Sequence, residues 1–462
     1  MRAEKIPSPA FVSFALALCL SVIFGVRLQS QESSEKSASP APRPDERQLP
    51  KAMRSASKEL PRIKVGKVAG DTSLDIVGSD GRALQAAVDY VAGLGGGVVE
   101  IGEGEFLMHD SLHLRSRVTV RGQGDKTVLK KAPSVTSQLS LDGDFGEEQV
   151  TVESADGFDV GCGIAIWDSE AGGFHTTVAR ITGRTGNTLA ISRPLNADCM
   201  VSRKARATTV FPVISGYDLE DARVESITVD GARDKNGDLN GCRGAGIFLY
   251  RGFGTVIEGC TVRSFNGDGI SFQQSNDVQV LRSRSEGNAG LGIHPGSGSQ
   301  RAIVRACVAR GNGGDGLYLC WRVRHGLFEE NELSGNEGHG ISIGHKDSDN
   351  LLRRNTVREN GRNGVYFRDE SEGMAGHRNR IEENLVENNG RRQKDSAGIW
   401  IDGETSGVVL KGNTIRDTRE AKERTQRTAI SIGSKTRDVI LESNKAEGET
   451  VTEDHRPRAE AK

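Results

Sequence analysis

Three short stretches of the chain hold side chains that could move protons. The segment GLGIHPGSGSQ at residues 290–300 carries His294, and GDGLYLC carries Asp315 and Tyr318. GHGISIGHKDSDN carries His339, His345 and Lys346, and YFRDE adds Arg368. A base, a protonated partner and a cation are what removal of the C5 proton of a uronate requires. The cation neutralises the carboxylate, the base takes the proton, and a tyrosine or histidine returns one. That chemistry ends in β-elimination or in epimerisation. The candidate catalytic set is therefore His294, Asp315, Tyr318, His339, His345, Lys346 and Arg368. The competing reading is that these loops are simply charged and solvated.

Residues so far apart in sequence meet only if the chain repeats. A Gly-apolar-x-apolar strand start recurs at Gly246, Gly269, Gly292, Gly316, Gly340, Gly364 and Gly398, at spacings of 23, 23, 24, 24, 24 and 34 residues. Strand alternation turns the first and third residues after the glycine position inward, as for Ile341 and Ile343, and the one between them outward. The outward column reads Phe248, Ser271, His294, Tyr318, Ser342, Tyr366, Trp400, Ser431. Aromatic faces suit the apolar C–H faces of sugars, so Phe248, Gln273, Trp321, Tyr366 and Trp400 are the candidate substrate-binding residues. Turns or side loops covering these rings are the alternative. The residue before each glycine forms another column that puts Asp315 and His339 on adjacent rungs, which predicts a carboxylate–imidazole pair.

Two polar columns support the register. Cys260, Ser283, Cys307, Asn331, Asn355, Asn384, Asn413 and Asn444 share one position, and Asn288, Asn312, Asn336, Asn360 and Asn389 share another. Stacked asparagines bond to their own kind, and asparagine tolerates a left-handed turn. Cys260 and Cys307 then lie two rungs apart, too far for a disulfide. Short strands, rungs of about 24 residues and polar ladders predict an all-β, right-handed parallel β-helix solenoid. Residues 70–146 read as its N-terminal cap and first rungs, with a helix capped by Ser79 or Asp80 and an apolar face of Leu84, Ala87, Val88 and Val91. Residues 147–212 break the pattern and read as a small inserted β-module, where Cys162 and Cys199 could pair. Residues 213–450 are the repeats.

The cap, VTVRGQGDKTVL and the rungs resemble the pectate-lyase-like right-handed parallel β-helix superfamily over roughly residues 70–450. LNGCRGAGIFLYR, GDGISFQQS, GIHPGSGSQ and ISIGHKDSDN look like a narrower group of exported bacterial β-helix repeat proteins without an established activity. GHGISIG and GDGLYL are similar to the histidine and paired-aspartate motifs of polygalacturonases. That resemblance implies Asp315 as acid and His339 as its support. Leu291, Gly314 and the NGVYFR rung depart from it, leaving one carboxylate where an inverting hydrolase needs two.

Composition fits an exported β-protein. The chain has 462 residues, 58 glycines, 5% aromatics and a formal charge of -2, so no global field draws nucleic acid or anionic lipid. Residues 1–29 read as a signal peptide, with an uncleaved anchor as the second reading, and imply a periplasmic, extracellular or cell-surface location. Residues 30–69 read as a disordered linker and 451–462 as a polar tail. DKNGDLNG at residues 234–241 resembles a calcium loop but has Leu239 where the turn needs glycine. It reads as a side loop, with Ca2+ as the one cofactor left open. The expected partner is a polysaccharide, with polyuronate as the favoured kind. Nucleic acid is not expected, nor membrane beyond the signal, and the protein is expected to be a monomer. The chain reads as a carbohydrate-active protein, a lyase, glycosidase or epimerase, with a non-catalytic binding or surface protein on the same solenoid as the rival.

Overall fold

The computed structural model describes residues 61–457. The signal segment and most of the linker lie outside the described residues. Strands dominate, and they stack as rungs. One rung is Asp268–Gln273, Gln279–Leu281 and Arg284–Glu286, and the next is Ile293–Gly296, Ile303–Arg305 and Val308–Arg310. Each strand pairs in parallel with its counterpart one rung on, as Ser271 with His294. The result is the right-handed parallel β-helix that the repeats predict. One sheet of eleven strands runs from Leu112–His113 to Thr450–Asp454 and carries the outward column. Inward residues form one continuous apolar core from Val65 to Ile432. The repeat glycines are required by closeness: a Cβ on Gly340 would lie 2.1 Å from Val357 Cγ1.

The asparagine columns form the predicted ladders. Asn336 Oδ1 accepts from the backbone N and side-chain Nδ2 of Asn312 at 3.1 and 2.9 Å. Its own Nδ2 donates to Asn360 Oδ1 and to Ala309 O, both at 3.0 Å. Every polar valence of the buried amide is thus met, which a fully enclosed group needs. Cys260 and Cys307 sit in the other ladder, donating their backbone N–H to Ser283 Oγ and Asn331 Oδ1. The left-handed corner, however, falls on the residue before the ladder. Arg282, Ala306, Glu330, Arg354 and Glu383 have φ between 46 and 59°, and Gly287, Gly311 and Gly335 adopt the same turn before the second column. Asparagine serves the ladder by its amide, and its tolerance of positive φ is not used.

The cap is the helix Gly81–Gly93, with Asp80 accepting from Arg82 N at 3.0 Å and Leu84, Ala87, Val88 and Val91 buried. The inserted module starts earlier than its sequence suggests. Thr136–Gln138 already belongs to its six-stranded sheet, which closes with Arg206–Thr208. Cys162 and Cys199 are both free thiols. The strand Arg62–Gly66 falls inside the segment read as linker and pairs with Gly97–Ile101, because alternating RIKVG can seal the first rung. The strand Thr450–Asp454 runs into the segment read as a tail, where it pairs with the last rung while each of its residues is exposed.

Candidate functional site

The outward column holds its predicted register from Phe248 to Ser431. It extends further back, since Phe248 pairs with Ser215 and Ser215 with His113. Its exposure is not as predicted. Phe248 is wholly buried, its ring 5.9 Å from that of Tyr217, and cannot meet a substrate. Gln273 is also wholly buried and donates to Ser271 Oγ. The loop that resembled a calcium site accounts for part of this cover: Ser271 Oγ donates to Gly241 O at 2.7 Å. Among the described residues its side chains do not converge on a metal-binding cluster. Only from Tyr318 onward, at Tyr318, Tyr366 and Trp400, is the column's aromatic face half-exposed.

His294 sits where the covered and open halves meet. Its Nδ1 lies 2.8 Å from Asp268 Oδ2, and both residues are buried. Asp268 Oδ1 also accepts from Leu291 N at 2.8 Å, so its carboxylate is held at both oxygens. The carboxylate keeps the imidazole proton on Nδ1 and leaves Nε2 as a lone-pair base. That Nε2 is buried and has no hydrogen-bond partner. The Tyr318 ring stands edge-on at 5.3 Å. Burial raises the Tyr318 phenol, which therefore keeps its proton at neutral pH.

Arg368 is the hub of the next group. Its guanidinium lies over the Tyr318 ring at 4.6 Å, donates to Ser342 Oγ at 2.8 Å and Leu319 O at 2.7 Å, and reaches Asp347 Oδ2 at 3.3 Å. Burial pushes the Asp347 carboxyl up to about 8 against the pull of Arg368. His345 bridges Glu370 Oε1 at 2.9 Å through Nε2 and Cys320 Sγ at 3.1 Å through Nδ1. Burial and Arg368 hold His345 below the usual imidazole range. Trp321 packs 5.4 Å from His345 and is 39% exposed. Lys346 is half-buried, adopts positive φ and donates its backbone N–H to Met374 O; among the described residues its side chain adds no bond to this group.

The expected pair of Asp315 and His339 does not form. Asp315 Oδ1 accepts from the backbone N of His339 at 2.6 Å. Asp268 does the same for Leu291, and Asn363 for Ala397 at 2.8 Å. Asp268, Asp315 and Asn363, alternate members of the column before the glycines, are thus caps, each satisfying a backbone N–H of the next rung. The His339 ring instead stacks on Tyr366 at 4.6 Å, and its Nδ1 is buried without a hydrogen-bond partner. Burial, with Arg362 and Arg368 near, drives His339 down to about 3. It is a neutral ring at any working pH. Burial raises Asp315 to about 6. The Tyr366 ring meets Trp400 edge-on at 5.7 Å, completing a short aromatic row.

The structure therefore joins His294, Tyr318, Arg368 and His345 in one chain of contacts and adds Asp268, Asp347, Cys320 and Glu370, which sequence reading had not selected. Asp268 carried a faint signal. It stands in the same pre-glycine column as Asp315, on the rung that pairs with His294. Cavities open elsewhere, one between the cap helix and the inserted module, one between the first rungs and the module, and one where the module meets the loop at residues 238–240, and none of the predicted site residues lines them.

The family model of the right handed beta helix region matches residues 245–415. No curated protein matches the chain in sequence. The Dettilon tailspike protein is 13% identical with a TM-score of 0.52, over 79% of this chain and 60% of the tailspike, so the chain spans about three fifths of that protein. A mannuronan C-5 epimerase A-module of Azotobacter vinelandii is 15% identical with a TM-score of 0.48, over 84% of this chain and 98% of the module. The polygalacturonase of Erwinia carotovora ssp. carotovora is 12% identical with a TM-score of 0.48, over 84% of this chain and 96% of the enzyme. The matched rungs and the stacked parallel strands make this chain a right-handed parallel β-helix protein.

Proposed function

We propose that the chain binds an acidic polysaccharide along the outward face of the eleven-stranded sheet and abstracts the C5 proton of a uronate residue. The observation that carries this reading is the Asp268–His294 pair, with a free, buried Nε2 beside the Tyr318 ring. Nε2 is the base, and the protonated Tyr318 phenol is the acid that returns a proton to carbon or to the leaving oxygen. Arg368 places positive charge beside that phenol, and the exposed Arg362 lies close enough to Asp315 to affect its charge. Either cation would offset the negative charge that grows on the uronate carboxylate as the proton leaves. Tyr366 and Trp400 supply the platform for flanking sugars. The loop through Gly241 covers Asp268, so substrate reaches Nε2 when that loop is displaced. Hydrolysis fits less well. Asp268 and Asp315 each already accept a backbone N–H, and Asp268 also holds the imidazole, so these two do not form a free carboxylate pair to serve as acid and base. The apolar run at residues 11–26 of the sequence supports an exported location for this activity.

The rival is a binding protein that uses only the aromatic row. Incubation with a panel of uronate and neutral polysaccharides separates the two. Unsaturated products absorbing in the ultraviolet report elimination, and deuterium incorporation from heavy water read by NMR reports epimerisation. Retention on a glycan without either signal establishes binding alone and sinks the catalytic reading.

A further inference from the structure

A second cluster lies at the N-terminal end of the same face, Ser215 three rungs and His113 four rungs before His294, which is about 14 and about 19 Å at ~4.8 Å per rung. His113 Nε2 is 2.9 Å from Asp110 Oδ2, and His113 Nδ1 is 3.0 Å from Ser215 Oγ. One tautomer satisfies both contacts. The carboxylate holds the proton on Nε2, and Nδ1 accepts the serine hydroxyl. This is the order of nucleophile, base and orienting acid that activates a serine.

The imidazole is held from the other side too. Gln85, on the cap helix, accepts from His113 N at 2.8 Å and donates to His113 O at 3.1 Å, so the helix fixes the backbone that carries the ring. Asp110, His113 and Ser215 all line one cavity of about 230 Å³. Asp110 and Arg180 also line an adjoining cavity of about 770 Å³ between the cap helix and the inserted module. Arg180 and Arg193 face the smaller cavity, where a guanidinium can stabilise an oxyanion. Arg193 rests over the Tyr217 ring at 3.7 Å. A turn, a rung strand and the helix all contribute, which surface hydrogen bonding alone does not require.

We propose that Ser215, His113 and Asp110 form an esterase site for a small acyl ester, with the acyl group in the smaller cavity. Ser215 Oγ bonds to the acyl carbon as its proton passes to His113 Nδ1. The carbon–oxygen bond to the alcohol breaks, and the alcohol leaves with that proton. Water, deprotonated by the same nitrogen, then cleaves the acyl-serine bond, releases the carboxylic acid and restores the hydroxyl. Asp110 holds the ring throughout.

The test uses the full chain with p-nitrophenyl acetate, and in parallel with a fluorophosphonate probe followed by peptide mass spectrometry. Wild type should release p-nitrophenolate, and S215A, Asp110→Asn and His113→Ala should each lose about 100-fold or more. S215A is a small change, and its circular dichroism and melting should match wild type. The probe should label Ser215 and no longer do so in Asp110→Asn. Equal hydrolysis by wild type and S215A with Ser215 unlabelled overturns the proposal. Because the uronate chemistry is read by ultraviolet products and deuterium, failure of either site is seen independently of the other.

Discussion

Asp268 and His294, 26 residues apart in sequence, face each other across adjacent rungs at 2.8 Å. The contact is possible because the pre-glycine position of one rung and the outward position of the next lie side by side in a parallel stack. A carboxylate there does two jobs. It caps Leu291 N and it fixes the imidazole tautomer. Replacing Asp268 by Asn keeps the cap but removes the charge that holds the proton on Nδ1. We expect Asp268→Asn and His294→Gln each to lower turnover on a uronate substrate by about 10²–10⁴-fold with little change in KM. Unsaturated-product absorbance or deuterium incorporation measures it. Full activity in His294→Gln would remove this ring from the mechanism.

Asp315 makes a prediction about pH. Its folded carboxyl titrates at about 6 because it is buried, above the ordinary 3.8. The folded state therefore holds its proton longer than the unfolded state as pH rises. Stability falls between about pH 4 and pH 6 and is level above that range. Asp315→Asn preserves an acceptor for His339 N, as Asn363 does for Ala397. The variant should be more stable than wild type by about 3 kcal/mol at neutral pH and no more stable near pH 4. Denaturant melts across that range check the sign. Asp347, raised in the same direction, cancels in the comparison.

The ladders should tolerate little. Asn336→Ala leaves Asn312 N, Asn312 Nδ2 and the acceptors on Asn360 and Ala309 without the side chain that joins them. At about 1–3 kcal/mol for each buried group left unpaired, the loss should exceed about 3 kcal/mol. Denaturant unfolding measures it. A loss under about 1 kcal/mol would mean that backbone shifts re-pair these groups.

Phe248 and Trp400 belong to one column but should behave oppositely. Phe248→Ala should cost about 3–5 kcal/mol of stability and leave glycan affinity unchanged, because the ring is wholly enclosed. Trp400→Ala should weaken glycan binding by about tenfold with little loss of stability, because its ring is only partly buried. Affinity electrophoresis and thermal melts on the same samples separate the two.

Spacing and alternation determined the solenoid, because each rung repeats one short strand pattern and a one-residue slip would turn core residues outward. The 23- and 24-residue spacing of Gly246 to Gly364 was therefore enough to place Ser271, His294, Tyr318 and Ser342 in one row. The asparagine ladders were legible for the same reason. The cap helix was readable from Asp80 and the Leu84, Ala87, Val88 and Val91 face.

What covers that row was decided only in three dimensions. The loop through Gly241 reaches Ser271 from another rung, and the module from Thr136 pairs its strands antiparallel in a sheet of its own, so neither leaves a periodic mark. Side-chain direction was equally hidden. Asp315 and His339 occupy the adjacent places their spacing requires, yet the carboxylate turns to a backbone N–H while the ring turns to Tyr366. An unpaired amide in a low-dielectric rung claims the nearest acceptor, and that demand is invisible in a string of residues. The same demand set Asp268 beneath His294, and the closure of cap, first rung and module brought Asp110, His113 and Ser215 together. Sequence determined which residues share a face, and the tertiary structure decided which of them meet and which reach solvent.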